Sequence, residues 1–255
     1  MSEPAVLTER RDRILVVTIN RPDQRNAVNA AVANGIGAAM DELDRDDGLS
    51  LGILNGAGGG FCAGMDLKAF VTGESPWVGD RGFAGITQRA ADKPLIAAIE
   101  GFAVAGGLEV ALACDLLVAA RGAKLGIPEV KRSLVAAGGA LLRLPRALPR
   151  PVAMELALTG DLITAERGQE LGVINRLSEP GQALEEALGL AERITINGPL
   201  ALRATKRILS ESVDWPESEF WSRQGEIAGP VMSSEDAREG ATAFAQKRPP
   251  VWRGR

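Results

Sequence analysis

The chain has 255 residues, 45% of them hydrophobic and 24% charged, enough to bury a large core and too apolar for a disordered chain. Its net charge is -4 and its basic residues are scattered, which argues against a nucleic-acid surface and for small-molecule or protein partners. There is no histidine and no tyrosine, so Ser-His-Asp and Cys-His nucleophile systems and His-ligated zinc sites are excluded; proton transfer near neutral pH falls to Glu, Asp, Lys or Cys.

In chain order, "MSEPAVLTERRDR" lacks the apolar core of a signal peptide, and no run of about 18 apolar residues offers a membrane span. With only Cys62 and Cys114 and no paired metal-ligand spacing, the expectation is a cytoplasmic protein. "RILVVTINR" (13–21) is a β-branched strand ended by Pro22, and a helical pattern runs from about Ala30 to Asp44. "LSLGILNG" is a second buried strand that runs into the glycine cluster "GAGGGFCAGMDL" (56–67), and "KPLIAAIEG" from Lys93 is a third that leads into another cluster. "DLLVAA" from Asp115 is a fourth strand and "AKLGIPE" a shorter fifth. Short buried strands mixed with helices predict an α/β fold with covered sheets. From about Pro151 the segments read as successive helices, with no internal repeat or low-complexity stretch. A boundary near Gly198–Pro199 divides residues 1–198 from a helical tail, 199–255, suited to interaction or oligomerisation.

A strand ending in glycines invites a nucleotide-binding reading. The P-loop pattern fails, because Gly107 stands where its lysine belongs; "GGGFCA" (58–63) fits G-x-G-x-x-A, a pattern that glycine-rich runs match by accident. The other use of such backbone is as a donor, aiming N–H groups at an oxygen that becomes negative during reaction. "AGGLEVALACD" from Ala105 reads as a helix opening at glycines, with Glu109 its single charge before Asp115. Glu109 is either a first-turn surface charge or, since its neighbours leave no polar face, a buried carboxylate with a raised pKa. Glu129 in "KLGIPEVKR" could be a solvated partner of Lys131 or Arg132; Asp66 could cap the helix "LKAF"; and Cys62 and Cys114 suit packing.

Together "GAGGGFCAGMDLKAF", "KPLIAAIEGFAVAGGLEVALACDLLVAA" and "AKLGIPEVKRSLVAAGGALLRLPR" resemble the crotonase (enoyl-CoA hydratase/isomerase) superfamily, with further similarity in "NRPDQRNAVN" and "LTGDLITAERGQELGVIN". The resemblance implies a spiral core of β-β-α units and C-terminal helices that build trimers, often paired into hexamers. It implies an acyl-coenzyme A thioester as ligand and no metal or redox cofactor. It places the two oxyanion-hole N–H groups on Ala63 and Gly106 and the hydratase glutamates on Glu109 and Glu129, which together favour reversible addition of water to a trans-2-enoyl-CoA. Residues Ala63, Gly64, Met65, Asp66 and Leu67, and the stretch from Arg25 to Ala27, resemble the coenzyme A surface; Lys68, Lys206, Arg207, Lys247 and Arg248 are phosphate candidates or ordinary surface charges. After Glu129, many hydratases carry an "IPGAGGTQRL"-like turn, whereas this chain has "SLVAAGGALLRLPR". That segment borders the acyl pocket, and the difference leaves carnitinyl-CoA dehydratase-like, racemase-like or isomerase specificity open, as it does a non-catalytic acyl-CoA binder.

Overall fold

In the computed structural model, which describes residues 3–255, the first predicted strand turns out to be half of a hairpin. β1 (Val6–Arg11) pairs antiparallel with β2 (Ile14–Ile19), from Val6 opposite Ile19 to Arg11 opposite Ile14. The sequence reading missed β1 because "VLTERR" has no buried run: it is a charged edge strand with four exposed residues. Every side chain of β2 except Thr18 is buried, on alternating faces: Leu15, Val17 and Ile19 enter one hydrophobic cluster, Ile14 and Val16 another. α1 (Ala30–Arg45) opens on the side chain of Asn29, which accepts from the Val32 amide, and buries Val32, Ile36, Met40 and Leu43 against the first cluster.

β3 (Leu51–Gly56) lies parallel to β2, and the glycine-rich loop after it leads to a five-residue helix, α2 (Leu67–Val71). The small hairpin β4 (Trp77–Val78) and β5 (Gly82–Phe83) follows. Then the chain makes two similar turns. β6 (Leu95–Ile99) joins the main sheet, β7 (Phe102–Val104) leaves it for a smaller sheet, and α3 (Gly106–Leu112) closes the unit. β8 (Leu116–Ala120) joins the main sheet, β9 (Lys124–Gly126) pairs with β7, and a 3-10 turn at Pro128–Arg132 leads to α4 (Ala140–Ala147).

α5 (Arg150–Thr159), β10 (Ile163–Thr164), α6 (Ala165–Glu170), β11 (Arg176–Ser178) and α7 (Ala183–Thr195) come next. The expectation of helices alone after Pro151 is therefore corrected: β10 adds to β9, and β11 completes a six-stranded sheet of order β1-β2-β3-β6-β8-β11. Both strands are two or three residues long and have a single neighbour, too short for a periodic signal. α7 covers the second face of the main sheet through Ala183, Ala187, Leu188 and Ala191.

α8 (Pro199–Glu211), α9 (Glu217–Met232) and α10 (Glu235–Gln246) end the chain. α9 buries none of its residues, and Leu209, Trp221 and Met232 are at least 70% exposed. Lys206 of α8 is held by Asp115 at 2.7 Å, and the Trp252 indole N–H donates to the Ile196 carbonyl. Among the described residues, no helix is long and apolar enough to cross a membrane.

Candidate active site

The two glycine clusters meet. After β3 the loop returns along β7, with Cys62 bridged to Ala103 and Met65 bridged to Val28. Gly64 lies at φ +95°, where a Cβ would sit 2.9 Å from the Gly106 amide nitrogen and 3.0 Å from the Ala105 Cβ. Only glycine lets the loop approach the opening of α3 this closely. Ala105 itself takes φ +53°, a strained turn that delivers the chain into α3.

Around this contact most amides are committed. The Asp66 amide donates to the Val28 carbonyl at 2.9 Å, and the Gly64 amide is turned toward the Cys62 sulfur. Ala63, expected to supply a free N–H, instead donates to the Arg25 carbonyl at 3.0 Å; Arg25 is in the left-handed region, which turns that carbonyl onto the loop. The reading of Ala63 as a donor to ligand is thereby corrected. The Met65 and Gly106 amides donate to no acceptor among the described residues, and both residues line a cavity of about 290 Å³.

Glu109 and Glu129 line the same cavity. Glu109 is no surface charge: all seven residues of α3 are buried, Glu109 at 4% exposure. Its Oε1 accepts from the Ala140 amide at 3.1 Å, and its Oε2 lies where any Cβ on Gly138 would fall, 2.5 Å away. Burial raises its pKa, against the pull of the Ala140, Gly138 and Gly139 amides and the Arg143 charge. Glu129 stands in the first turn of Pro128–Arg132 and is half-buried. Its neighbour Lys131 pairs with Asp161 at 2.7 Å, and the Glu129 Oε2 is buried without a hydrogen-bond partner. Burial, with the nearby Glu109 charge, pushes Glu129 up to about 7 against its own backbone amide and Arg132. The segment 134–138 completes the wall with Leu134, Val135 and Ala137, so the stretch singled out after Glu129 does border the pocket.

The other expected residues divide. Arg25 and Leu67 line the cavity; the Arg25 guanidinium lies over the Phe102 ring at 4.5 Å. Ala27 does not, since its amide donates to the Gln24 carbonyl and its carbonyl accepts from Arg21. Asp66 caps α2 through the Lys68 and Ala69 amides and pairs with Arg21 at 3.0 Å, while Lys68 is exposed outside the cavity wall. Lys206, Arg207 and Arg248 are engaged with Asp115, Glu211 and Glu239, and Lys247 ends α10. "GGGFCA" is followed by further loop up to Asp66, so the strand-turn-helix context of a dinucleotide fingerprint is not met. Sequence reasoning missed Gly138, Ala140 and Arg143, whose only local signal was the pair of glycines.

The model of the enoyl-CoA hydratase/isomerase family matches residues 9–255. The enoyl-CoA hydratase EchA19 of Mycobacterium tuberculosis is 44% identical over 261 residues, covering all of this chain and 98% of that protein. The carnitinyl-CoA dehydratase of Salmonella typhimurium is 40% identical over 263 residues, covering both chains in full. A crystal structure of the enoyl-CoA hydratase EchA1 from Mycobacterium marinum superimposes with a TM-score of 0.98 at 60% identity, over 99% of this chain and all of that one.

Proposed function

The chain belongs to the enoyl-CoA hydratase/isomerase family and has its crotonase fold, and from that premise we propose that it is a hydro-lyase adding water reversibly to trans-2-enoyl-CoA thioesters. The observation that carries the reading is one cavity lined by two unpaired backbone amides and two carboxylates with unequal surroundings.

The Met65 and Gly106 amides take the thioester oxygen, on which negative charge grows as water attacks. Glu109, held by the Ala140 amide beside the Gly138–Gly139 turn, receives the proton of the water whose oxygen bonds to C3. Glu129, with an orphaned oxygen and a pKa near 7, holds the proton that goes to C2. One O–H and one C=C π bond are lost and C3–O and C2–H are formed; the proton left on Glu109 returns to Glu129 between turnovers. No step calls for a metal or redox cofactor. Under the same reading the protein acts in the cytoplasm. Residues 1–198 form the acyl-CoA unit, and the exposed apolar side chains of 199–255 pack between copies in a trimer or hexamer.

A second reading, dehydration of carnitinyl-CoA, is supported by the Salmonella relative and by the edge-to-face pair Trp77–Phe83, rings 5.3 Å apart, at the cavity wall. Aromatic faces attract quaternary ammonium groups, whereas Arg25 and Arg132 on the same wall repel them. The test compares crotonyl-CoA with crotonobetainyl-CoA by loss of the conjugated thioester absorbance. Faster turnover of crotonyl-CoA is expected; the reverse selects the second reading. Tight binding of an acyl-CoA panel with no turnover would make the protein a non-catalytic binder.

A further inference from the structure

Arg143 sits on α4 one turn beyond the glycines that hold Glu109. Its Nη2 donates to the Thr87 carbonyl at 2.6 Å, the only hydrogen bond of this guanidinium among the described residues. Its Nη1 packs on Gly139, where any Cβ would run into it, and its backbone amide donates to the Gly139 carbonyl at 3.1 Å. The Gly138–Gly139 turn therefore carries a carboxylate and a guanidinium together: Glu109 against Gly138 and Ala140, Arg143 against Gly139. The charges acting on Arg143 are Glu109 of α3 and Arg146 of its own helix; the Cys114 thiol just beyond α3, pushed up to about 12 by burial, stays neutral. Those acting on Glu109 are the Arg143 charge and the amides of residues 138–140, and those acting on Glu129 are Glu109 and Arg132.

We propose that Arg143 is a positioning residue for the acid-base pair: it clamps the Gly138–Gly139 turn, against which the Glu109 carboxylate rests, to the Thr87 carbonyl, and its charge favours the ionised form of that carboxylate. The proposal rests on the acid-base reading above and deepens it. A planar guanidinium suits both tasks, because one nitrogen can hold the carbonyl while another lies flat on the glycine backbone. The burial of this guanidinium, which lowers its own pKa, is a cost that a helix surface position need not bear. Lysine would keep the charge without the fork, and glutamine would remove the charge.

The test follows the pH dependence of kcat/KM for crotonyl-CoA, whose acidic limb reports ionisation of Glu109 in the free enzyme. Arg143→Gln should move that limb upward by about one pH unit and lower kcat at pH 7 about tenfold with KM within about twofold. Arg143→Lys should leave the limb in place while kcat falls. A limb that stays put in Arg143→Gln, or that moves up in Arg143→Lys, overturns the proposal. If the glutamine variant does not fold, the lysine variant decides by the same criterion. Failure of the parent reading would be seen first, as a wild-type protein inert toward acyl-CoA substrates. The Glu109 carboxylate band can still be followed by isotope-edited infrared titration, assigned with Glu109→Gln. An unchanged midpoint in Arg143→Gln then overturns the proposal, and a raised one supports it.

Discussion

Glu129→Gln should disable the enzyme and stabilise the protein, with a pH dependence that identifies the cause. The Glu129 pKa moves from the ordinary 4.5 to about 7 on folding, chiefly through burial. The folded state therefore binds a proton more tightly than the unfolded chain. The stability from that proton is fully present below pH 4.5 and is lost as pH rises through 7. At about 1.4 kcal/mol per pH unit the shift corresponds to about 3 kcal/mol, which solvent screening of this half-buried carboxyl reduces to about 1–2 kcal/mol. Glutamine never ionises, and its buried amide lacks a partner much as the protonated carboxyl does, so the variant should match wild type below pH 4.5. Above pH 7 it should be more stable by about 1–2 kcal/mol, with any relief felt by Glu109 adding in the same direction. Urea unfolding at fixed protein concentration from pH 4 to 8 measures this, while hydration of crotonyl-CoA should fall about 10² to 10⁴-fold. Stability curves that run parallel across this range would refute the burial argument, and near-normal turnover would refute the role as acid.

Three further outcomes are expected. Replacing the Met65 amide by an ester in a protein made with the hydroxy acid should cost about 10² to 10³ in kcat; the same change at Ala63 should remove only the bond to the Arg25 carbonyl, about 1 kcal/mol of stability, with kcat nearly intact. Gly138→Ala should force Glu109 aside, since the new Cβ would lie 2.5 Å from its Oε2, and lower kcat about 10²-fold while circular dichroism stays native. Exchanging Leu209 and Trp221, 70% and 75% exposed, for Glu should reduce the mass seen by light scattering from an oligomer to a monomer, and an unchanged mass would remove these helices from the interface.

The residues differ in how much of their role is written locally. Glu109 was half legible: α3 has no polar side, which pointed to burial, while its first-turn position also suited a surface charge. β2, β3, β6 and β8 were legible as apolar runs, whereas β1, β10 and β11 earn their place by pairing with strands remote in sequence. Glu129 looked like a surface ion pair because Lys131 and Arg132 follow it; the competing acid, Asp161, reaches Lys131 from the far end of α5. The free amide was illegible for a similar reason. Ala63 and Met65 carry the same kind of N–H, and what separates them is the Arg25 carbonyl, whose direction depends on a left-handed turn elsewhere in the chain.

The asymmetry between the glutamates also bears on direction. Under the proposed roles, one proton shared by the pair serves both reactions, and its position decides which can begin: on Glu129 the site is set for hydration, on Glu109 for dehydration. The amides of residues 138–140 and the Arg143 charge oppose protonation of Glu109, and the unpartnered oxygen of Glu129 leaves its carboxylate without comparable support. Under the proposed acid-base roles, these supports favour the hydration form of the free enzyme. This cannot move the equilibrium between enoyl and hydroxyacyl thioesters, which belongs to them alone, so the bias must appear in rates. Dehydration has first to transfer the proton from Glu129 to Glu109, and it is the direction that a weaker hold on the Glu109 carboxylate would relieve.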